Sequence, residues 1–394
     1  MVDPDWVNHD VVVLRKVVDT LAVIPDRRFD SMLAARPSIG EVLATVPGYP
    51  CPDPHDIVGN EREKQPFKRD VPGLSLRSYG EVDVAPRMIA AGAARVVLPQ
   101  AFRNNTKLRP VTPALAEMTR WSVRLPDVLA EPSRQRLAGT WLHLDNINRG
   151  HFGHAITEQI SQLWAWDRLR DEHPDIGVLV GASERPLASW ELTLLEAAGV
   201  ARDRVQVVED PVRVERLITA SPGYVVLSHI HRALRPLHAE VGASLEARSG
   251  LEDSPSRVFV TRRTGKRRCH EAEELEGLFK QNGFSVIAPE EFPLADQVAI
   301  ARNAEVIAGY GGSGMFHALL SERRPSIIAV SHTGYHVWNE KAIAAYRDCP
   351  ISVIRGVPDV TGEHFSKAVM HSDYHLDLSG PAGRVLHRVL QKIS

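Results

Sequence analysis

Few folds admit the stretch Ala304-Glu305-Val306-Ile307-Ala308-Gly309-Tyr310-Gly311-Gly312-Ser313-Gly314-Met315-Phe316-His317-Ala318-Leu319-Leu320-Ser321-Glu322. Val306, Ile307 and Ala308 read as a short buried strand, the glycines as a turn, and Met315 to Glu322 as a helix. A second apolar strand, Ser326-Ile327-Ile328-Ala329-Val330, follows Arg323-Arg324-Pro325. The unit β-loop-α-β is the repeat of a parallel α/β sheet. Glycines let a backbone approach a phosphate closely, and the N–H groups at a helix start point at it, so the loop suits an anion. The same glycines also suit a plain tight turn that packs strand against helix.

Gly309, Gly311 and Gly314 formally spell G-x-G-x-x-G. A dinucleotide site also needs an acid near the end of the next strand, to hold the ribose. After Val330 the chain runs Ser-His-Thr-Gly-Tyr-His-Val-Trp-Asn, with no acid before Glu340. The loop therefore points to a phosphate-bearing ligand more than to NAD.

Composition narrows the remaining classes. With 394 residues the chain exceeds one ordinary core, so two domains are expected. A net charge of −2 argues against broad nucleic-acid binding. Cys51, Cys269 and Cys349 are scattered and odd in number, which suits neither a disulfide framework nor a metal cluster; a reducing, cytoplasmic compartment is expected. No apolar run approaches a membrane span, and Met1 to Trp6 lacks a signal-peptide layout. Val11 to Ile24 is interrupted by Arg15, Lys16 and Asp19 and suits a half-buried helix. His332 and His336 stand four apart, but Gly334 between them favours a loop over a helical zinc pair. No metal site is expected.

In chain order, the first residues carry weak signals: a proline-dense loop at Tyr49–Pro54, strand candidates at Val82–Val84 and Arg95–Leu98, and a polar loop at Asn104–Pro113. From Gly139 the pattern sharpens. Strands are predicted at Thr140–Leu144, Ile176–Val180, Arg204–Val208 and Gly223–Leu227, and helices at Ala155–Trp166 and Leu187–Ala198. A polar stretch at residues 247–256 reads as a linker between an N-terminal α/β domain, 1–246, and a Rossmann-like C-terminal domain, 257–375. In the latter, strands are predicted at Arg257–Thr261, Phe284–Ile287 and Ile351–Ile354, and helices at Glu271–Gln281 and Leu294–Ala304. A terminal helix lies in residues 376–394, with Val385, Leu386, Val389 and Leu390 on its apolar side.

Two constellations carry chemistry. Five cations, Arg262, Arg263, Lys266, Arg267 and Arg268, follow a strand in the domain of the glycine loop. Such a run is often only a solvated face. In open α/β sheets, however, ligands bind beyond the carboxyl ends of strands, and arginine forks match phosphate oxygens in pairs. The other constellation is Asp145, His151, His154 and Glu158, after a first-domain strand. His154 and Glu158 are spaced i, i+4 and can share a helix face, so either can serve as a general base. Plain readings exist for both: Glu158 favouring a helix dipole, His154 capping or packing.

These residues resemble glycosyltransferase family 61. Gly150-His151-Phe152-Gly153-His154-Ala155-Ile156-Thr157-Glu158, with Leu163-Trp164 downstream, resembles the family's "N-Y-x-H-W-x-x-E" block. Thr261-Arg262-Arg263 through Arg267-Arg268, then Glu271 to Glu274-Leu275, resembles its arginine block. Gly283-Phe284 and Gln297 match its "G-F" and "Q", and Gly309 to His317 its "G-x-H-G-A-G-L-x-N". The blocks keep their order over roughly residues 140 to 330. Three positions depart: Gly311 stands for the loop histidine, His317 for the asparagine and Ala155 for the tryptophan.

The resemblance implies an α/β GT-B architecture, two Rossmann-like domains facing across a cleft. It implies an inverting transferase using a nucleotide-diphosphate sugar, with no metal and no permanently bound cofactor. The donor would lie on Gly311, Gly312, Ser313 and Gly314 with Arg262, Arg263, Arg267 and Arg268; Glu322 at the helix end is grouped with them. The N-terminal domain would bind a glycan or other hydroxyl acceptor, with His154, then Glu158, then Asp145 as candidate bases. A lipid-linked acceptor would require peripheral membrane contact. A pyruvyl transferase of the same fold, and a non-catalytic nucleotide-sugar or glycan-binding protein, are the alternatives; the substituted loop histidine keeps the latter open.

Overall fold

The computed structural model describes residues 20–23, 26–50, 57–59, 70–86, 89–92, 96–99, 102–104, 109–110, 122–124, 135–146, 148–183, 186–263, 265–362 and 366–393. The chain divides into two compact units, residues 1–48 with 72–225, and residues 49–71 with 226–394. The break at Val225 precedes the linker expected at 247–256. Helix Arg235–Glu246 explains the difference, because it packs on helix Leu294–Asn303 within the second unit. Val241 and Leu245 are buried there, and Arg302 bonds Glu246 at 2.8 Å. The polar stretch after it is only the loop into the next strand. Residues 49–71 join the same unit through strand Ile57–Gly59, which runs parallel to Ile351–Pro358.

The second unit is the parallel sheet that its glycine stretch foretold. Strands Arg257–Val260, Ser285–Ile287, Val306–Tyr310, Ser326–His332 and Ile351–Pro358 stand in the spatial order 2-1-3-4-5, with Tyr374–His375 antiparallel at the edge. Val306 to Tyr310 is buried throughout, as a strand covered on both faces must be. Phe259, Leu275, Phe279, Phe284, Ile328, Val330, Leu386 and Leu390 share one core. Each such side chain removed from water contributes about 1.5–3 kcal/mol. The C-terminal helix, Pro381–Ile393, buries Val385, Leu386, Val389 and Leu390 as its periodicity requires. Helix Trp338–Arg347, not foreseen in the sequence, follows the fourth strand.

In the first unit, strands Val212–Ala220, Gln135–His143, Gly177–Gly181 and Val205–Val208 form a parallel set in that spatial order. Strands Leu74–Tyr79 and Val82–Ala85 extend it antiparallel to Val212–Ala220. That long central strand was not read in the sequence, and of the strand expected at Gly223–Leu227 only Tyr224–Val225 forms. Arg213, Glu215 and Arg216 interrupt its apolar pattern; Arg213 pairs with Asp83 at 2.9 Å. Thr20–Val23, inside the helix expected at Val11–Ile24, is a strand, and residues 11–19 lie outside the described residues. Phe102–Asn104 and Arg109–Pro110 pair antiparallel where a loop was expected. Among the described residues no helix is long and apolar enough to cross a membrane.

Candidate functional site

In a doubly wound sheet of order 2-1-3-4-5, the strand order reverses between the first and third strands, which run parallel, and the crevice beyond their carboxyl ends is where ligands bind. The first strand, Arg257–Val260, delivers Thr261, Arg262 and Arg263 there; the third, Val306–Tyr310, delivers the glycine loop. The backbone pairing Val260↔Gly309 thus places the cationic run beside the glycines.

Only part of that run turns inward. Arg262 Nη2 donates to the Gly311 carbonyl at 2.7 Å, and its Nη1 donates to Lys266 O at 2.9 Å. Arg267, in the left-handed region at φ 62°, reaches the same Gly311 carbonyl at 3.5 Å and stacks over the Tyr335 ring at 4.2 Å. Its Nε is buried with no hydrogen-bond partner. Arg263 turns away to Glu276 at 3.1 Å, and exposed Arg268 turns to Asp373 at 3.6 Å. Glu322 lies beyond the helix, which ends at Leu320. It accepts from Arg302 at 3.1 Å on that side rather than joining the loop.

The loop itself is built on Gly312, at φ 142° and ψ −169°, a region essentially reserved for glycine. A Cβ there would lie 2.7 Å from Arg262 Nη2 and 2.9 Å from Arg267 Nη2. Not all the loop N–H groups face a ligand. Gly311 N–H bonds Val330 O at 2.8 Å, and Gly312 N–H bonds the Glu340 carboxylate. The N–H groups of Ser313 and Gly314 open the helix Ser313–Leu320 and have no intrahelical acceptor.

Glu340 is the residue that sequence reading passed over as a missing ribose ligand. It is 1% exposed on helix Trp338–Arg347, and its Oε2 has no hydrogen-bond partner. Burial raises its pKa, against the pull of its backbone hydrogen bonds, including that from Gly312, and of Arg267 and Arg262. Burial, then the charge of Arg267, lowers that of Arg262. His332 is pushed down to about 4 by burial first, then by Arg267 and Arg355. His371 is lowered by burial, then by Lys266, Arg267 and Lys367. Burial is thus the first cause of each shift, and Arg262 and Arg267 share the crevice with one buried acid, Glu340.

The second constellation sits in the first unit. The single helix expected at Ala155–Trp166 is broken into a turn at Phe152–His154, a π turn at Ala155–Gln159 and a 3-10 turn at Ile160–Leu163. Side chains compete for the backbone there: Thr157 Oγ1 bonds Gly153 O at 2.5 Å, and Ser161 Oγ bonds Glu158 O at 2.9 Å. Such π turns cluster at functional sites. The i, i+4 pair forms as read: His154 Nδ1 meets Glu158 Oε2 at 2.6 Å. Asn148 Nδ2 lies 3.3 Å from His154 Nε2, and the His151 ring stands edge-on to His154 at 5.1 Å. This network assigns the proton to Nδ1, facing the carboxylate, and leaves the Nε2 lone pair as acceptor. Glu191 braces the loop by accepting from Gly150 N–H at 3.1 Å.

Asp145 is not part of that pair. It is buried, its Oδ1 accepts from Asn146 N–H at 2.7 Å, and its carboxylate lies where a Cβ on Gly181 would sit, 2.5 Å from Oδ2. Next to it, burial holds His143 below its usual pKa, against the opposing charge of Asp145.

Among curated proteins none matches the chain. Among solved structures it is similar to the dodecameric iron-containing heptosyltransferase TibC in complex with ADP-D-beta-D-heptose, at 10% identity over 81% of this chain and 94% of that one, with a TM-score of 0.33. It is likewise similar to the iron-containing dodecameric glycosyltransferase TibC from enterotoxigenic E. coli H10407, at 9% identity over 89% and 100%, with a TM-score of 0.32. The stretch with both the His154–Glu158 pair and the arginine–glycine crevice is similar to a known family: residues 152–328 match the Glycosyltransferase 61 family.

Proposed function

We propose that the chain is an inverting glycosyltransferase that moves a sugar from a nucleotide-diphosphate donor to a hydroxyl of a glycan or other acceptor. The observation that carries this reading is the convergence of Arg262 and Arg267 on the glycine loop at the sheet's switch point. The family match supports the same chemistry.

In this reading the donor diphosphate lies against the two guanidinium groups and the N–H groups of Ser313 and Gly314. They stabilise the negative charge that grows on the leaving diphosphate as the anomeric bond breaks, the work a metal cation does elsewhere. His154 Nε2 takes the proton of the acceptor hydroxyl while Glu158 holds the Nδ1 proton and stabilises the imidazolium that forms, as in a histidine–carboxylate pair. Attack in line with the leaving group inverts the anomeric centre. Glu158 is then a positioning residue, and Asp145 is a structural acid. The GT-B arrangement of the two units and a cytoplasmic location belong to this proposal.

The test is incubation of the purified chain with UDP-, GDP-, ADP- and dTDP-sugars and hydroxyl acceptors, with the product's anomeric configuration read by NMR. Transfer with inversion, lost in His154→Ala, supports the reading. Turnover with phosphoenolpyruvate alone points instead to pyruvyl transfer. Nucleotide binding with neither transfer nor hydrolysis points to a non-catalytic role, which the glycine at position 311 also fits.

A further inference from the structure

A cluster in the second unit is absorbed by none of this chemistry. His270, Asp359 and His375 each offer one ligand atom, and those atoms lie within 4.8 Å of one another. We propose that they form a divalent transition-metal site, suited to Zn²⁺, that braces the segment following the arginine run.

The three residues come from separate segments tied together by backbone. His270 follows the bridge Cys269↔Tyr374, and its N–H bonds Tyr374 O at 3.0 Å. His375 sits on the edge strand opposite Val357, and Asp359 directly follows the strand it pairs with, Ile351–Pro358. Asp359 N–H bonds Asp373 O at 2.9 Å. The two imidazoles stack at 4.1 Å between centroids and 24° between planes, which presents their Nε2 atoms to the same carboxylate.

The hydrogen bonding prepares His375 as a ligand. Its Nδ1 faces Glu271 Oε1 at 2.7 Å, and Glu271 Oε2 is itself held by Leu376 N–H at 2.6 Å. The Nδ1 proton therefore points at Glu271, and the lone pair of Nε2 is turned the other way. A carboxylate behind a metal-ligating histidine fixes the tautomer in this manner. His270 Nε2 stands 2.8 Å from Asp359 Oδ2, and His375 Nε2 stands 4.0 Å from Asp359 Oδ1. The first distance is that of a hydrogen bond; the second is an ion pair too long for one. At zinc–ligand distances of about 2.0–2.1 Å, neighbours in a tetrahedron stand roughly 3.3 Å apart, between the two values seen. Two imidazoles and a carboxylate suit Zn²⁺, with the fourth position left to water.

The site's location gives it a purpose. Arg268 N–H bonds Asp373 at 2.8 Å, so the end of the arginine run is already laced to the segment that bears His375. A metal joining His270, Asp359 and His375 fixes that lacing and the conformation of Arg267 with it. The inference stands without the transferase reading, because its test needs no sugar donor.

The experiment strips the untagged full-length chain with chelator and titrates it with Co²⁺. A visible absorption band of tetrahedral Co²⁺, saturating at one equivalent and displaced by Zn²⁺, is expected, with a rise in melting temperature. His270→Gln and His375→Gln should abolish the band while melting like the metal-free wild type. Asp359→Asn is the independent check should either histidine variant fold poorly. Glu271→Gln should weaken affinity about 10–100-fold. No band at one equivalent, or a band unchanged in His270→Gln and His375→Gln, overturns the proposal.

Discussion

Gly312→Ala is the substitution whose cost follows most directly from the geometry. At φ 142° and ψ −169° the position lies in a region that residues with a Cβ adopt at a cost of about 1–3 kcal/mol. The added methyl would also sit 2.7 and 2.9 Å from the terminal nitrogens of Arg262 and Arg267, so both side chains must leave the Gly311 carbonyl or the loop must shift. The second unit holds about 190 residues, for which each kcal/mol moves the midpoint by about 2–4 °C. A fall of roughly 2–12 °C in the melting of this unit is expected by differential scanning calorimetry. Donor nucleotide binding should be lost with it. Gly314→Ala is the control, since its φ is not positive and its Cβ would meet only Val260 Cγ1 at 3.0 Å and Pro289 Cγ at 3.9 Å. A Gly312→Ala protein that melts within about 1 °C of wild type and still binds nucleotide would refute the argument that this backbone holds the two arginines in place.

Other perturbations test the neighbouring groups. Burial raises the pKa of Glu340, so its contribution is fully present below the unfolded carboxylate value near 4.3 and is lost as pH rises through the folded value. Glu340→Gln keeps an acceptor for Gly312 N–H and removes that titration. Its unfolding free energy, followed by denaturant titration from pH 4 to 8, should decline less than that of wild type; identical slopes would show that Glu340 does not titrate in the folded chain. In the first unit, His154→Ala should lower kcat about 10²–10⁴-fold with donor binding unchanged, as removal of a general base does. Glu158→Gln should lower kcat less and shift its pH profile, because the imidazolium loses its carboxylate.

The second unit was largely legible because its strands are apolar runs that glycines and amphipathic helices punctuate. Val306–Tyr310, Ser326–His332 and the C-terminal helix announce themselves by pattern alone. The His154–Glu158 pair was legible from spacing, although the backbone beneath it is a π turn rather than an α-helix. Which arginines matter was not legible. Arg262 and Arg263 are neighbours in sequence, yet alternate sides of an extended chain send one to Gly311 and the other to Glu276. Glu340 escaped notice because its role depends on a helix unrecognised in the sequence. The border between units was misplaced because polar composition marks loops of every kind, whereas the packing of Arg235–Glu246 on Leu294–Asn303 depends on buried Val241 and Leu245. The strand Val212–Ala220 was hidden by charges whose partners, Asp83 among them, lie far away in sequence.

The central claim is that Arg262 and Arg267, and not the whole cationic run, hold a nucleotide diphosphate on the glycine loop. Its most direct measurement is the thermal shift by nucleoside diphosphates in the presence of EDTA, on wild type and on four single alanine variants at Arg262, Arg263, Arg267 and Arg268. At about a hundred times Kd, one diphosphate should stabilise wild type by roughly 2.7 kcal/mol. Arg262→Ala and Arg267→Ala should abolish the shift, and Arg263→Ala and Arg268→Ala should keep it. A shift retained in the first pair, or one produced by NAD and by no nucleoside diphosphate, would contradict the account.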